Sequence, residues 1–405
     1  MDKYTYIPRQ IDLIKDLTHK SVFLFGPRQT GKSLLAGHVL SETTLVIDLL
    51  DPATLLRYSQ TPSLLQSEVK RAGAEGQIIM IDEVQKLPSL LDEVHLLIEK
   101  KRCRFLLTGS SARKLKLEAN TINLLGGRAR ERFLHPFSWS ELQDKFDLRR
   151  AVNVGLLPSI YFSDDARADL QSYVGTYLSI EIAQEARLRK LDAFSRFLKI
   201  AASCSGQIVN YKNVGNDAKV PARTVAEYFG ILYDTRFCHE VPSWKKARKR
   251  KAFETSKFYF FDNGVARAIS GKPTVKEGSS DFGDAFEAYI FHEIKTYLDY
   301  KQIGLPMTYW RSTSGFEVDF LIGDDVAIEV KGKRDIAQRD LSGLKALSEE
   351  GGFRRLILVC LEDPARRISL PKSAGKSAPD IEILPWQEFL TQLWSQQVAR
   401  KNDDF

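Results

Sequence analysis

The residues best placed to do chemistry lie near the start of the chain, in Val22-Phe-Leu-Phe-Gly-Pro-Arg-Gln-Thr-Gly-Lys-Ser-Leu34. From Gly26 to Ser33 the spacing is G-x-x-x-x-G-K-[ST], that of a loop that cradles phosphates. The apolar run Val22 to Phe25 reads as a buried strand. Leu34, Leu35, Val39 and Leu40 suit a helix starting at the loop. The glycines let the backbone wrap a phosphate chain, and the helix N-terminus adds partial positive charge. Gly26, Pro27, Arg28, Gln29, Thr30, Gly31, Lys32, Ser33 and Leu34 are therefore the expected nucleotide-binding residues. Lys32 would reach the β- and γ-phosphates, and the Ser33 hydroxyl would ligate Mg²⁺. The cofactors expected are ATP and Mg²⁺.

A second apolar run, Ile78-Ile-Met-Ile, ends in Asp82-Glu83. Asp82 at a strand end can hold Mg²⁺ through water, and Glu83 can act as general base on the attacking water. A third strand, Arg104-Phe-Leu-Leu-Thr108-Gly-Ser110, ends in hydroxyls, and either Thr108 or Ser110 could sense the γ-phosphate. Arg128 and Arg130 follow a glycine pair. Arg128 is the candidate to complete an ATP site, its own or a neighbour's. Arg130 reads as a surface arginine paired with a carboxylate.

Late in the chain, Phe316-Glu-Val-Asp-Phe-Leu-Ile and Val326-Ala-Ile-Glu-Val-Lys331 read as adjacent alternating strands. The alternation puts Asp319, Glu329 and Lys331 on a face opposite Phe316, Val318, Phe320, Val326, Ile328 and Val330. Upstream, Glu287 lies among apolar positions of a helix over about 284–298. Carboxylates holding Mg²⁺ beside a lysine that meets a phosphate or water would suit phosphodiester hydrolysis. A salt-bridged sheet face is the plainer alternative.

Between these clusters, helical patterns near 194–203, 211–216 and from Pro221 precede strand-like runs at 237–241 and 257–261. Three helices and a hairpin describe a winged helix, with Arg223 and Glu227 exposed on its third helix. The hairpin carries Lys245, Lys246, Arg248, Lys249, Arg250 and Lys251, six cations in seven residues, suited to DNA phosphates. A solvated loop is the alternative reading.

These residues need a scaffold. A chain of 405 residues accommodates two to four domains, and 43% hydrophobic with 27% charged residues suits a globular protein. No apolar run reaches the length of a membrane span, and the N-terminus lacks a signal peptide's apolar core. Four scattered cysteines argue against zinc and a disulfide framework and fit a cytoplasmic protein. The net charge of +7 hints at an anionic partner. Strand–helix alternation up to Ser110 implies an α/β fold with a parallel, doubly wound sheet, whose strand ends would gather the phosphate loop, Asp82 and Thr108. An amphipathic helix is expected over residues 1 to about 20, and a helical lid over 146–190 with Leu170, Tyr173, Val174, Tyr177 and Leu178 apolar. The domains expected are an ATPase core (1–145), the lid, a winged helix (191–275) and a C-terminal α/β domain (276–405).

The chain resembles the bacterial and archaeal AAA-type ATPases that carry a C-terminal restriction-endonuclease-like domain. The resemblance rests on YIPRQ, GPRQTGKS, IIMIDEVQKLP, LLTGSSARKL, GGRARERFLHPFSWSEL, FGDAFEAYIFHEI, YWRSTSGFEVDFLI and IEVK, in that order along nearly the whole chain. It implies an ATPase core related to the STAND and origin-recognition ATPases, a winged helix and a PD-(D/E)xK fold. On that match Glu287, Asp319, Glu329 and Lys331 take the nuclease-motif positions. Gly155-Leu-Leu-Pro158 departs from the family pattern, in which a glycine pair precedes the proline. The expected activity is ATP hydrolysis coupled to engagement of duplex or branched DNA, with metal-dependent cleavage, in a homo-oligomer such as a ring. Two rivals remain: a nucleotide-gated signalling or defence switch, and a nuclease fold that only grips DNA.

Overall fold

The structure is a computed structural model. It describes residues 6–110, 113, 115, 124–175, 191–370 and 379–400. Contacts divide the chain into two units. Among the described residues, the first comprises those up to Phe137 together with Asp234–Phe237, and the second comprises the rest.

The first unit is built on five parallel strands: β1 (Ser21–Phe25), β2 (Leu45–Asp48), β3 (Ile78–Asp82), β4 (Arg104–Gly109) and β5 (Ala129–Phe133). Their order is β2-β3-β4-β1-β5. Every residue of β1 is buried, as expected of a central parallel strand covered on both faces. Around the sheet run α1 (Leu13–Leu17), α2 (Lys32–Val39), α3 (Pro52–Gln60), α4 (Leu64–Arg71) and α5 (Leu90–Lys101). Phe23, Phe25, Ile79, Ile81, Phe105 and Leu107 meet Tyr58, Leu65 and Val94 in the core on one side. The N-terminal helix is much shorter than the expected one. Pro8 disfavours helix before it, and Asp12 caps α1 by accepting from the Lys15 amide at 3.0 Å.

The second unit opens with α6 (Trp139–Leu142), α7 (Leu148–Val154), α8 (Pro158–Tyr161) and α9 (Ala166–Ser172). The expected lid helix is thus several short ones over its described part, and Tyr177 and Leu178 lie outside the described residues. Gly155 ends α7 with φ of 82°, and a Cβ there would stand 2.0 Å from Asp262 Oδ1. A single glycine therefore meets the demand for both backbone and space at that turn. Next come α10 (Leu191–Ser203), α11 (Tyr211–Ala218) and α12 (Ala222–Asp234). The antiparallel pair β6 (Cys238–Val241) and β7 (Lys257–Phe260) follows, then α13 (Asn263–Ser270).

The rest of this unit is a six-stranded mixed sheet flanked by helices. Its elements are α14 (Ser280–Tyr300), β8 (Met307–Arg311), β9 (Glu317–Ile322), β10 (Val326–Lys331), α15 (Ser342–Ser348), β11 (Arg355–Cys360), β12 (Arg366–Ile368), β13 (Ile381–Pro385) and α16 (Trp386–Trp394). The order is β12-β13-β11-β10-β9-β8, with β10, β11 and β13 parallel. Two glycines bring helices onto the strands that carry the second carboxylate cluster. A Cβ at Gly343 of α15 would lie 1.9 Å from the Glu317 carbonyl, and one at Gly332 would lie 3.0 Å from Gly283 Cα of α14. The fold class is α/β: a parallel five-stranded sheet, then helices and a separate mixed sheet.

Candidate functional site

The phosphate loop leaves β1 at Gly26, where no side chain fits. A Cβ would stand 2.4 Å from the Leu134 carbonyl, which follows the neighbouring β5. Gly31 caps α2 with φ of 91°, a left-handed conformation that glycine adopts without steric cost. Thr30 Oγ1 donates to the Pro27 carbonyl at 2.8 Å, closing the loop on itself. The buried Lys32 ammonium donates to the carbonyls of Gly26 at 2.8 Å and Pro27 at 3.1 Å, so it lies over the mouth of the loop. Arg9, named in the sequence only within YIPRQ, ties the loop from outside. Its guanidinium donates to the Thr30 carbonyl at 2.8 Å and the His135 carbonyl at 2.6 Å.

Strand order then brings the polar side chains together. Because β4 lies between β1 and β3, Thr108 sits beside both the loop strand and the Asp82 strand. Ser33 Oγ donates to Asp82 Oδ2 at 2.8 Å, and Thr108 Oγ1 donates to Asp82 Oδ1. The same Thr108 oxygen accepts from the Glu83 amide at 3.2 Å. Thr108, expected to sense the γ-phosphate, thus aligns the Asp82-Glu83 turn in this structure. Glu83 adopts φ of 56° and ψ of 45°, which swings its side chain out of the strand alternation. Its carboxylate accepts from Gln85 Nε2, which also donates to Ser110 Oγ at 3.1 Å. Gln85 had no reading from the sequence. A glutamine in a turn carries no pattern, although it follows the acidic pair directly. Ser33 and Asp82 offer a hydroxyl and a carboxylate, hard oxygen donors that fit Mg²⁺.

Arg128 pairs through Nε with Glu99 of α5 and holds that carboxyl below its usual range. Arg130 pairs with the buried Asp16 at 2.7 Å, as its sequence context suggested.

The second carboxylate cluster differs from expectation. Asp319 and Glu329 do come together on β9 and β10, with Asp319 Oδ2 accepting from the Val330 amide at 2.9 Å. They are 4% and 5% exposed, because helices cover both faces of the sheet rather than leaving a polar face open. The three carboxylates were expected to converge around a metal ion. Among the described residues no group of three His, Cys, Asp or Glu side chains is arranged to hold one. A cation from the chain is there instead. Lys257 Nζ, on β7, lies 2.6 Å from Glu317 Oε1, 3.4 Å from Glu287 Oε1 and 3.5 Å from Asp319 Oδ1. Burial opposes its charge, but Glu287, Tyr259, Asp319 and Glu317 outweigh that and hold the ammonium well above the usual lysine range. Tyr259, two residues along β7, donates to Glu287 at 2.5 Å. Burial, then Asp319, pushes Glu287 up to about 7 against the opposing pull of Lys257 and Tyr259. Lys331 donates to Glu329, whose own carboxyl is raised by burial and by Asp319. As arranged here, the set does not fit a divalent ion. The strand alternation already sets Glu317 on the same side as Asp319, whereas Lys257 escaped the sequence reading because a lysine in a short strand names no partner.

The basic run is also more constrained than a free wing. Trp244 packs into the core under the mixed sheet, and its amide donates to the Tyr309 carbonyl of β8 at 2.7 Å. Lys246 pairs with Asp324 at 2.6 Å. Arg250 pairs with Glu349 at 2.9 Å and with the buried Glu350 at 3.1 Å. Two of the six cations are thus committed to carboxylates, while Lys245, Arg248, Lys249 and Lys251 are exposed. On α12, Arg223 and Glu227 are exposed and pair with each other at 3.3 Å.

Three family profiles tile the chain. Residues 18–143 match an AAA domain. Residues 145–276 match a domain of unknown function, DUF8612, and residues 282–373 another, DUF4143. No curated protein matches the chain. Among solved structures it is similar to PCH-2 of C. elegans, with 16% identity and a TM-score of 0.24 over 54% of this chain. That similarity spans 64% of the PCH-2 chain, under two thirds of its length. It is also similar to Can2 from Sulfobacillus thermosulfidooxidans in complex with cyclic tetra-adenylate. There the identity is 12% and the TM-score 0.18, over 95% of this chain and 98% of that one. The assignment rests on the profile together with the loop, the strand-end carboxylates and the sheet order: residues 18–143 form an AAA-type ATPase domain.

Proposed function

We propose that this protein binds and hydrolyses ATP and couples its nucleotide state to engagement of duplex or branched DNA. The observation that carries the reading is the bonded chain Ser33–Asp82–Thr108 at the carboxyl ends of β3 and β4, beside the N-terminus of α2. The loop amides and Lys32 would hold the triphosphate, with the ammonium leaving its two carbonyls for phosphate oxygens. Ser33 and Asp82 would hold Mg²⁺, which neutralises charge on the β- and γ-phosphates when bound. Glu83 would take the proton of the attacking water, with Gln85 and Thr108 fixing its turn. Arg128 would complete a site between subunits of a homo-oligomer such as a ring. The exposed cations Lys245, Arg248, Lys249 and Lys251 would follow DNA phosphates, and Arg223 on α12 would add a contact.

A second reading concerns the mixed sheet. The placing of Asp319, Glu329 and Lys331 on neighbouring strands favours a PD-(D/E)xK-like site for metal-dependent DNA cleavage, which would need Lys257 displaced from the carboxylates before an ion could enter. One panel tests both readings: duplex, single-stranded and four-way-junction DNA scored for ATP turnover and for cutting. Turnover stimulated by DNA is expected. Nucleotide retained without turnover would replace the first reading with a switch. Binding without cutting in Mg²⁺ or Mn²⁺ would leave the second domain as a DNA grip.

A further inference from the structure

We infer that Lys257 is the resident cation of the carboxylate cluster on the mixed sheet, so that its ammonium and a divalent ion exclude one another there. The inference rests on the second reading above, in which these carboxylates form a cation site. Lys257 comes from outside the αββ unit that supplies the carboxylates. Its side chain is 4% exposed, and three carboxylates from α14 and β9 surround its nitrogen. Its backbone is held by β6, where it pairs with Val241, and by a bridge to Ile208. Tyr259 is anchored beside it by stacking on Phe291 at 4.2 Å while donating to Glu287. The ammonium is therefore delivered by the hairpin rather than by the sheet.

Charge counting supports exclusion. Glu287, Glu317, Asp319 and Glu329 carry four negative charges when ionised. Lys257, Lys331 and Arg311, which lies 3.5 Å from Glu317, return three. Withdrawing Lys257 leaves two uncompensated negative charges, the amount a divalent ion neutralises. Adding that ion with Lys257 seated would place two cations among the same oxygens, where they repel. One acceptor is also left over: Glu329 Oε2 is buried without a hydrogen-bond partner, although Lys331 holds the other oxygen. An unpaired buried carboxylate oxygen is costly, and a cation entering beside Asp319 would satisfy it.

The test is Mn²⁺ binding to the full chain without nucleotide, in an Asp82→Asn background that removes the contribution of the first unit. Free Mn²⁺ is read by its electron paramagnetic resonance signal. The parent should bind no Mn²⁺ at the cluster. Lys257→Met should gain one equivalent, at least tenfold tighter than any binding by the parent, and Asp319→Asn should abolish the gain. Lys257→Arg, which keeps the cation, should stay with the parent. Lys257→Met strips a buried cluster of its cation and can cost the fold. Lys257→Gln, which removes the same charge but keeps a hydrogen-bond donor among the carboxylates, is therefore measured alongside and should also gain Mn²⁺. Equal binding by the parent and both neutral variants overturns the inference, as does a folded neutral variant that binds none. A gain of Mn²⁺ without DNA cutting upholds the role of Lys257 and removes the cleavage reading. A parent that binds Mn²⁺ through Asp319 and cuts DNA upholds cleavage and overturns the role of Lys257.

Discussion

Ser33 donates its hydroxyl to Asp82 across 2.8 Å, joining the first turn of α2 to the end of β3. The two residues reach each other over the intervening strand β4, whose Thr108 takes the other carboxylate oxygen. A bound Mg²⁺ would need that convergence, because a single ion could take oxygens from the loop hydroxyl and the strand-end carboxylate only where the two stand together.

Around that pair, Lys32→Ala should remove the cation from the β- and γ-phosphates and weaken ATP binding severely. Glu83→Gln keeps the shape and the contact from Gln85 but loses the base. It should bind ATP nearly as wild type does and turn it over at least about a hundredfold more slowly. Nucleotide affinity by fluorescence and phosphate release separate the two effects. Wild-type turnover in Glu83→Gln would remove Glu83 as the base.

Arg128 is tied to Glu99 of its own chain here, an exposed pair of the kind that contributes little to stability. Arg128→Ala should therefore leave the melting temperature almost unchanged while slowing hydrolysis by about a thousandfold, with ATP affinity intact. Light scattering with ATP and DNA present checks the assembly. Monomers throughout would confine Arg128 to its own subunit.

For the basic run, the structure separates two roles. Neutralising Lys245, Arg248, Lys249 and Lys251 should weaken DNA binding for every sequence and lower the salt slope by about one per lost phosphate contact. Arg250→Ala should instead destabilise the fold, because it strips the buried Glu350 of its guanidinium. Salt-dependent affinities and melting curves distinguish them. An unchanged slope in the fourfold variant would make the run a solvated loop.

Glu293 on α14 supplies a pH dependence. Burial raises its carboxyl from 4.5 to about 7, against the Trp139 amide at 2.7 Å and the Trp394 indole N–H at 3.0 Å. Below the lower value both folded and unfolded chains hold the proton. Between the two values only the unfolded chain releases it, so this stabilisation falls as pH rises and is gone above about 7. Relative to Glu293→Gln, the wild type should lose up to about 3 kcal/mol between pH 4.5 and pH 7.5. Denaturant unfolding across that range measures it, and parallel curves for the two proteins would exclude the effect.

What the sequence determined by itself is local. The phosphate loop, its strand and its helix are consecutive, so residue types and spacing suffice to place Gly26, Lys32 and Ser33. Asp82 and Glu83 are legible because an apolar strand ends at them, and the helices and strands of 191–261 follow from period alone. Even the pairing of Asp319 with Glu329 follows from a short turn and alternation. Tertiary structure decided the contacts whose partners are remote or unpatterned. Gln85 holds Glu83 only because the turn after β3 bends back over β4. Trp244 reads as one more aromatic beside a charge run until the edge of β8 takes it up. Lys257 reads as a strand-end lysine until β7 carries it into carboxylates 30 to 62 residues away. A charge in a strand reports its own side of the alternation and nothing about the oxygens it will meet. That depends on how separate elements pack, which no local period encodes.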